Sequence, residues 1–139
     1  MSPEERWFPS HLKEMTKAEC LELLASHHVG RVAYCDALGP VVLPVNYVLD
    51  HDTVLFQTSP HSTLARHMQA GAASFQIDDF DDYNQSGWSV LVRGDAAYVE
   101  REELPDDADA QPIAWAEGQR SFHVRLTPHD ITGRRLLPA

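Results

Sequence analysis

The sequence predicts a mainly β protein with peripheral helices, its strands antiparallel and closed into a barrel. Three observations carry that expectation. Six or seven short runs rich in Val, Ile, Leu, Tyr and Phe are bounded by Gly, Pro, Asn, Asp and Ser. Brief turns join neighbouring runs, which favours antiparallel pairing, and a sheet of that many largely apolar strands closes most readily into a barrel. Strands and helices do not alternate, and no GxGxxG is present, so a doubly wound dinucleotide fold is excluded.

Residues 1–15 read as an N-terminal arm, with Trp7 and Phe8 available for packing. Thr16 followed by Glu19 has the spacing of a capping box, and Cys20, Leu21, Leu24 and Ala25 then share a face, predicting a helix over about 16–27. Val29–Asp36 is a strand candidate closed by the turn residues 37–40. The run 41–49 is apolar on both faces, with Pro44 marking an edge, bulge or departure from regular pairing. After the turn at 50–52 comes a short strand over 53–58. Ser59 and Pro60 suit an N-cap and first helical position, Leu64, Ala65 and Met68 would line the helix, and Gly71 would end it. A strand over 72–78, an acidic loop over 79–86 and a long strand over 87–100 follow. In that strand Trp88, Val90 and Val92 oppose Ser89, Leu91 and Arg93. Residues 102–109 form an acidic surface loop and 112–118 a short helical turn. The alternation of Phe122, Val124 and Leu126 marks a strand over 119–127, with a last strand over 131–136.

The chain has 139 residues, enough for one domain with a real core. With 21 acidic residues against 11 basic ones, its formal net charge is -10. A main partnership with nucleic acid or an anionic membrane is therefore not expected, since phosphate backbones need a basic face. Lys13 and Lys17 are the only lysines, so an anion site would rest on arginine, hydroxyls and backbone N–H groups. Cys20 and Cys35 form no CxxC pair, which favours a reducing compartment. The start of the chain has no apolar signal core, and no apolar run approaches the ~20 residues that span a bilayer. A cytoplasmic setting is the expectation. The eight histidines show no HxH, HExxH or Cys–His spacing, so no metal site is expected. No GxSxG nucleophile elbow occurs either.

Three stretches have residues suited to holding a ligand. In 57–66, hydroxyls surround a helix start, where unpaired N–H groups and the helix dipole favour an anion, and Arg66 adds a charge one turn on. Simple capping by Ser59 or Ser62 fits the same pattern. In 86–94, Gly87 allows close backbone approach, Trp88 offers a planar surface and Ser89 a hydroxyl; a core tryptophan beside a glycine turn fits equally. In 44–47, a proline that interrupts the ladder frees backbone groups for the edge of a heterocycle, or Asn46 is satisfied internally.

These stretches, with Val29–Ala33, Pro40–Tyr47, Phe56–Leu64, Gly87–Gly94 and Ile131–Arg135, resemble the pyridoxamine 5'-phosphate oxidase-like family of FMN-binding split β-barrels, in its short bacterial form, over about residues 16–136. The resemblance implies a homodimer with flavin sites lined by both subunits. Pro44, Val45, Asn46 and Tyr47 would run along the flavin ring, with Gln57, Thr58, Ser62 and Thr63 near the ribityl phosphate, where Arg66 would supply the charge. Trp88 and Ser89 would contact the ring or phosphate from a neighbouring strand or the partner chain. Thr63 stands where relatives commonly carry Lys or Arg, and the tail offers only Arg134 and Arg135, so oxidation of pyridoxamine phosphate itself is not expected. The implied activity is that of an oxidoreductase acting on a small-molecule redox substrate. A non-catalytic flavin carrier or sensor is the alternative, and other ligands of the same barrel are a deazaflavin coenzyme and haem.

Overall fold

The computed structural model describes residues 11–58, 70–105, 112 and 122–138. Among the described residues there are seven antiparallel strands and one α-helix: β1 (His11–Met15), α1 (Lys17–Ser26), β2 (Val29–Asp36), β3 (Gly39–Asp50), β4 (Thr53–Thr58), β5 (Ala70–Asp81), β6 (Ser86–Val99) and β7 (Phe122–Leu137). The sheet order is β1-β7-β4-β3-β2-β5-β6, and β6 also pairs with β7. That last pairing closes six strands into the predicted barrel. Strand β7 is the seam. One of its edges carries β6 along almost its whole length; the other carries β4 over its first half and β1 over its last.

Alternation builds most of the core. Val32 and Tyr34 of β2, Val45 and Tyr47 of β3, Val54 and Phe56 of β4, Phe75 and Ile77 of β5, and Val90 and Val92 of β6 all point inward and are buried. The helix covers one end of the barrel. Thr16 caps it as predicted, its hydroxyl accepting from Glu19 N–H at 3.2 Å while Glu19 reaches back to Thr16 N–H at 3.2 Å. Cys20 and Leu24 drop into the core, and the Tyr47 hydroxyl donates to the Leu24 carbonyl at 2.8 Å, tying helix to barrel.

The structure changes several boundaries. Residues 11–15, expected within the arm, form an edge strand on β7. Gly71 does not end a helix; it lies in β5, opposite Ala96. The expected acidic loop over 79–86 is mostly hairpin. Asp79, Phe80 and Asp81 continue β5 against Trp88, Gly87 and Ser86, and the Asp81 carboxylate accepts the Tyr83 and Asn84 N–H groups at 2.9 and 3.1 Å to close the turn. The two expected strands near the end are one strand of 16 residues. Pro128 and His129 pass through it at a bulge: Arg93 pairs with Asp130 and Gly94 with Pro128, leaving His129 extra. The expected helix after Ser59, the turn after Pro112 and the arm residues Trp7 and Phe8 lie outside the described residues.

The bulge depends on Gly94. A Cβ there would sit 2.1 Å from the Thr127 carbonyl oxygen, a backbone atom that cannot swing away. Gly94→Ala is expected to cost about 1–3 kcal/mol in urea unfolding, the range for forced overpacking. A cost near zero would mean that β6 and β7 do not cross so closely. Among the described residues no helix is long and apolar enough to cross a membrane.

Candidate functional site

Strand β3 pairs with β2 from Gly39 to Asn46, and with β4 only from Tyr47 to Asp50. Beyond the Tyr47–Phe56 pair the ladder between β3 and β4 stops, although both strands continue and β4 stays paired to β7 as far as Thr58. The barrel wall is therefore split there. Pro44–Asn46 line one lip and Gln57–Thr58 the other. Backbone N–H and C=O groups turned toward such a gap must be met by something other than this ladder, and the edge of a heterocycle is a suitable partner.

The four consecutive residues expected along a ring divide between two faces. Pro44 and Asn46 face outward, whereas Val45 and Tyr47 face the core and are buried. What β3 offers a ligand from those two positions is therefore backbone. Burial pushes the Tyr47 phenol well above its ordinary range, and its ring meets Phe75 edge-on at 4.7 Å. On the other lip Gln57 is half-buried and its Nε2 donates to the Pro112 carbonyl at 3.1 Å, while Thr58 is buried. Ser62, Thr63 and Arg66 lie outside the described residues.

Trp88 and Ser89 sit elsewhere, on β6. From β3 the sheet runs through β2 and β5 before reaching β6, so about 14 Å of sheet separates them from the split at about 4.8 Å per strand. Trp88 is half-buried at the helix end of the barrel, where the His27 ring meets it at 5.0 Å and 69°. His27 Nδ1 lies 2.8 Å from the Leu23 carbonyl. A carbonyl only accepts, so that nitrogen carries the hydrogen. Directly opposite Trp88 lie Arg135 on β7 and Asp79 on β5, and cross-strand partners share a face. Ser89, one residue on, faces outward between Arg134 and Asp78. Asp78 is held by Arg31 at 2.9 Å and by Gln76 at 2.9 Å.

The sequence reading therefore located two separate groups, the split and the Trp88 neighbourhood, and missed His27, Asp79 and Arg135 beside Trp88. Strand register sets Asp79 and Arg135 beside Trp88, and the end of α1 brings His27 to it. No local motif announces them, and the helix-terminal position of His27 was the one available signal.

Comparison with known proteins fits this geometry. A family model described as pyridoxamine 5'-phosphate oxidase matches residues 16–135. The FAD binding protein from Mycobacterium smegmatis has 31% sequence identity and a TM-score of 0.69, over 90% of this chain and 98% of that one. A conserved protein of unknown function from Corynebacterium diphtheriae has 25% identity and a TM-score of 0.75, over 91% and 98% of the two chains. An uncharacterized protein of Mycobacterium tuberculosis is 27% identical over 129 residues, 89% of this chain and 85% of its own length. A family model that spans nearly all of the barrel, together with the same split barrel in related chains, places this protein in the pyridoxamine 5'-phosphate oxidase family.

Proposed function

We propose that this protein binds a flavin, FMN in the first instance, at the interface of a homodimer, and uses it as a cytoplasmic oxidoreductase on a small-molecule redox substrate. The observation that carries the reading is the split between β3 and β4, lined by Pro44–Asn46 and Gln57–Thr58, in a barrel that also occurs in an FAD binding protein 31% identical to this one. The bound flavin would supply the electron or hydride transfer, and the protein would supply binding and orientation. The β3 backbone would hold the ring edge. Gln57 and Thr58 lead directly into Ser62, Thr63 and Arg66, which would take the phosphate. The distance from the split to Trp88 and Ser89 supports the dimer. In such a dimer a second copy would bring Trp88 and Ser89 to the ring.

FAD is the second reading, favoured by the M. smegmatis protein. Titration of the purified protein with FMN and with FAD, followed by flavin fluorescence, separates the two. FMN is expected to saturate at one per chain on a particle with the mass of a dimer. Replacing Ser62 and Arg66 together by Ala is expected to weaken FMN at least about tenfold, because charge-assisted hydrogen bonds to the phosphate are lost. Failure of both flavins to bind at high micromolar concentration would overturn the reading. Turnover of a reduced nicotinamide with an acceptor then distinguishes an enzyme from a flavin carrier or sensor.

A further inference from the structure

The outer face of β3-β2-β5-β6 carries apolar and small side chains on an acidic chain. Strand register puts Val42, Ala33, Ser74 and Arg93 in one cross-strand row, and Pro44, Arg31, Gln76 and Leu91 in the next. Val42 is 61% exposed, and Pro44 is exposed near it. Two hollows, of about 880 and 280 Å³, share Ala33 and Ser74 in their lining, and Val42 and Leu91 also line the smaller one. Small residues in the middle of a face, with larger ones at its margins, let a second layer settle closely. The carboxylates here are already engaged. Arg31 and Gln76 each donate to Asp78 at 2.9 Å, and Asp95 lies 2.6 Å from His129. Arg93 is exposed and makes no ion pair among the described residues. Two chains of net charge -10 repel one another, and like charges brought together across an interface are costly. A face with a spare cation and no spare carboxylate is one that a second copy can approach with little repulsion.

We propose that this face meets the same face of a second copy of the chain, with the two-fold axis parallel to the strands. The assignment rests on the homodimer reading above and adds to it a surface and an orientation. A two-fold contact uses one patch twice, so the patch must complement itself. An axis along the strands reverses their order and keeps each row level. It lays β3 of one copy over β6 of the other, with Val42 over the partner's Arg93 and Pro44 over the partner's Leu91. The aliphatic stem of Arg93 then covers the exposed Val42 while its charge stays at the margin. Asn46 pairs with Val29, and Ser89 with Asp78, each two residues beyond the row that joins Pro44 to Leu91. The same axis therefore brings the partner's Ser89 level with Asn46, on the lip of the split. An axis across the strands would set β3 on β3 and leave that lip without a neighbour from β6.

The test is the dimer dissociation constant of the full chain, measured by sedimentation equilibrium under reducing conditions, with charges placed at position 42. Val42→Lys sets a cation against the partner's Arg93 at two symmetric places and is expected to weaken the dimer at least about a hundredfold. Val42→Glu sets a carboxylate against the same guanidinium and is expected to stay within about tenfold of wild type. Adding Arg93→Glu to Val42→Lys reverses both charges and is expected to recover most of the loss. Val42 is exposed in the single chain, so urea unfolding of the dissociated variants is expected to match that of wild type diluted to the monomer. Equal weakening by Lys and Glu, or a double variant no tighter than Val42→Lys, would overturn the orientation. A dimer indifferent to every one of these charges would overturn the face. Both results leave the homodimer reading standing. A wild-type chain that sediments as a monomer at high micromolar concentration would remove that reading, and this proposal with it.

Discussion

Phe75→Ala is expected to lower the free energy of unfolding by about 3–5 kcal/mol, the range for truncating a fully buried phenylalanine. Phe75 has no exposed surface. Its ring meets Tyr47 edge-on at 4.7 Å and 66°, and its tip fills the space where another residue would carry a side chain at position 30. A Cβ on Gly30 would lie 2.2 Å from the end of that ring. The two positions are therefore coupled. Gly30→Ala alone is expected to cost about 1–3 kcal/mol, but much less once Phe75 is Ala, because the new methyl then enters the cavity instead of the ring. Urea unfolding of the two single variants and the double variant gives the coupling directly. Additive costs, or a loss below about 1 kcal/mol for Phe75→Ala, would show that the neighbouring strands β2 and β5 are not packed this way.

This pair also shows which parts of the fold were legible in the sequence. Alternation in 87–100 and 119–127 announced strands, and the Thr16–Glu19 capping box announced the helix, because these signals are local. Gly30 looked like any glycine in a strand; the reason for it is a ring 45 residues away. The break expected between the last two strands contains Pro128, a residue that normally argues against a strand interior. Here it sits at a bulge opposite Gly94, where the ladder is already irregular. Asp79 and Asp81 made this stretch look like a loop because charge is uncommon in strands, yet an outer hairpin tolerates it once its partner strand is long enough. For the site, residue type pointed to Pro44, Asn46, Gln57, Trp88 and Ser89 as ligand-capable positions. What it could not supply was the alternation of β3, which turns Val45 and Tyr47 inward, or the register that sets Arg135 and Asp79 against Trp88.

Tyr47 tests that division between core and site, because its two possible roles respond differently to pH. Its hydroxyl donates to the Leu24 carbonyl from a site with 1% exposure, and burial raises the pKa of the folded-state phenol. In the unfolded chain it titrates near the ordinary value of about 10. Below that pH both states hold the proton, so stability is unaffected by it. Above it the unfolded state loses the proton while the folded state keeps it, and stability falls by about 1.4 kcal/mol per pH unit until the folded pKa is reached. Tyr47→Phe removes the hydrogen bond and is expected to cost about 1 kcal/mol at pH 7. It also removes the alkaline loss, which amounts to about 3 kcal/mol by pH 12. The two stability curves are therefore expected to cross, with wild type more stable at neutral pH and the phenylalanine variant more stable at pH 12. Parallel curves would mean that the phenol ionises freely in the folded protein, as it would if it faced the split. Crossing curves with unchanged flavin affinity in the variant would leave Tyr47 as the latch between helix and barrel, contributing to the ligand site through its backbone alone.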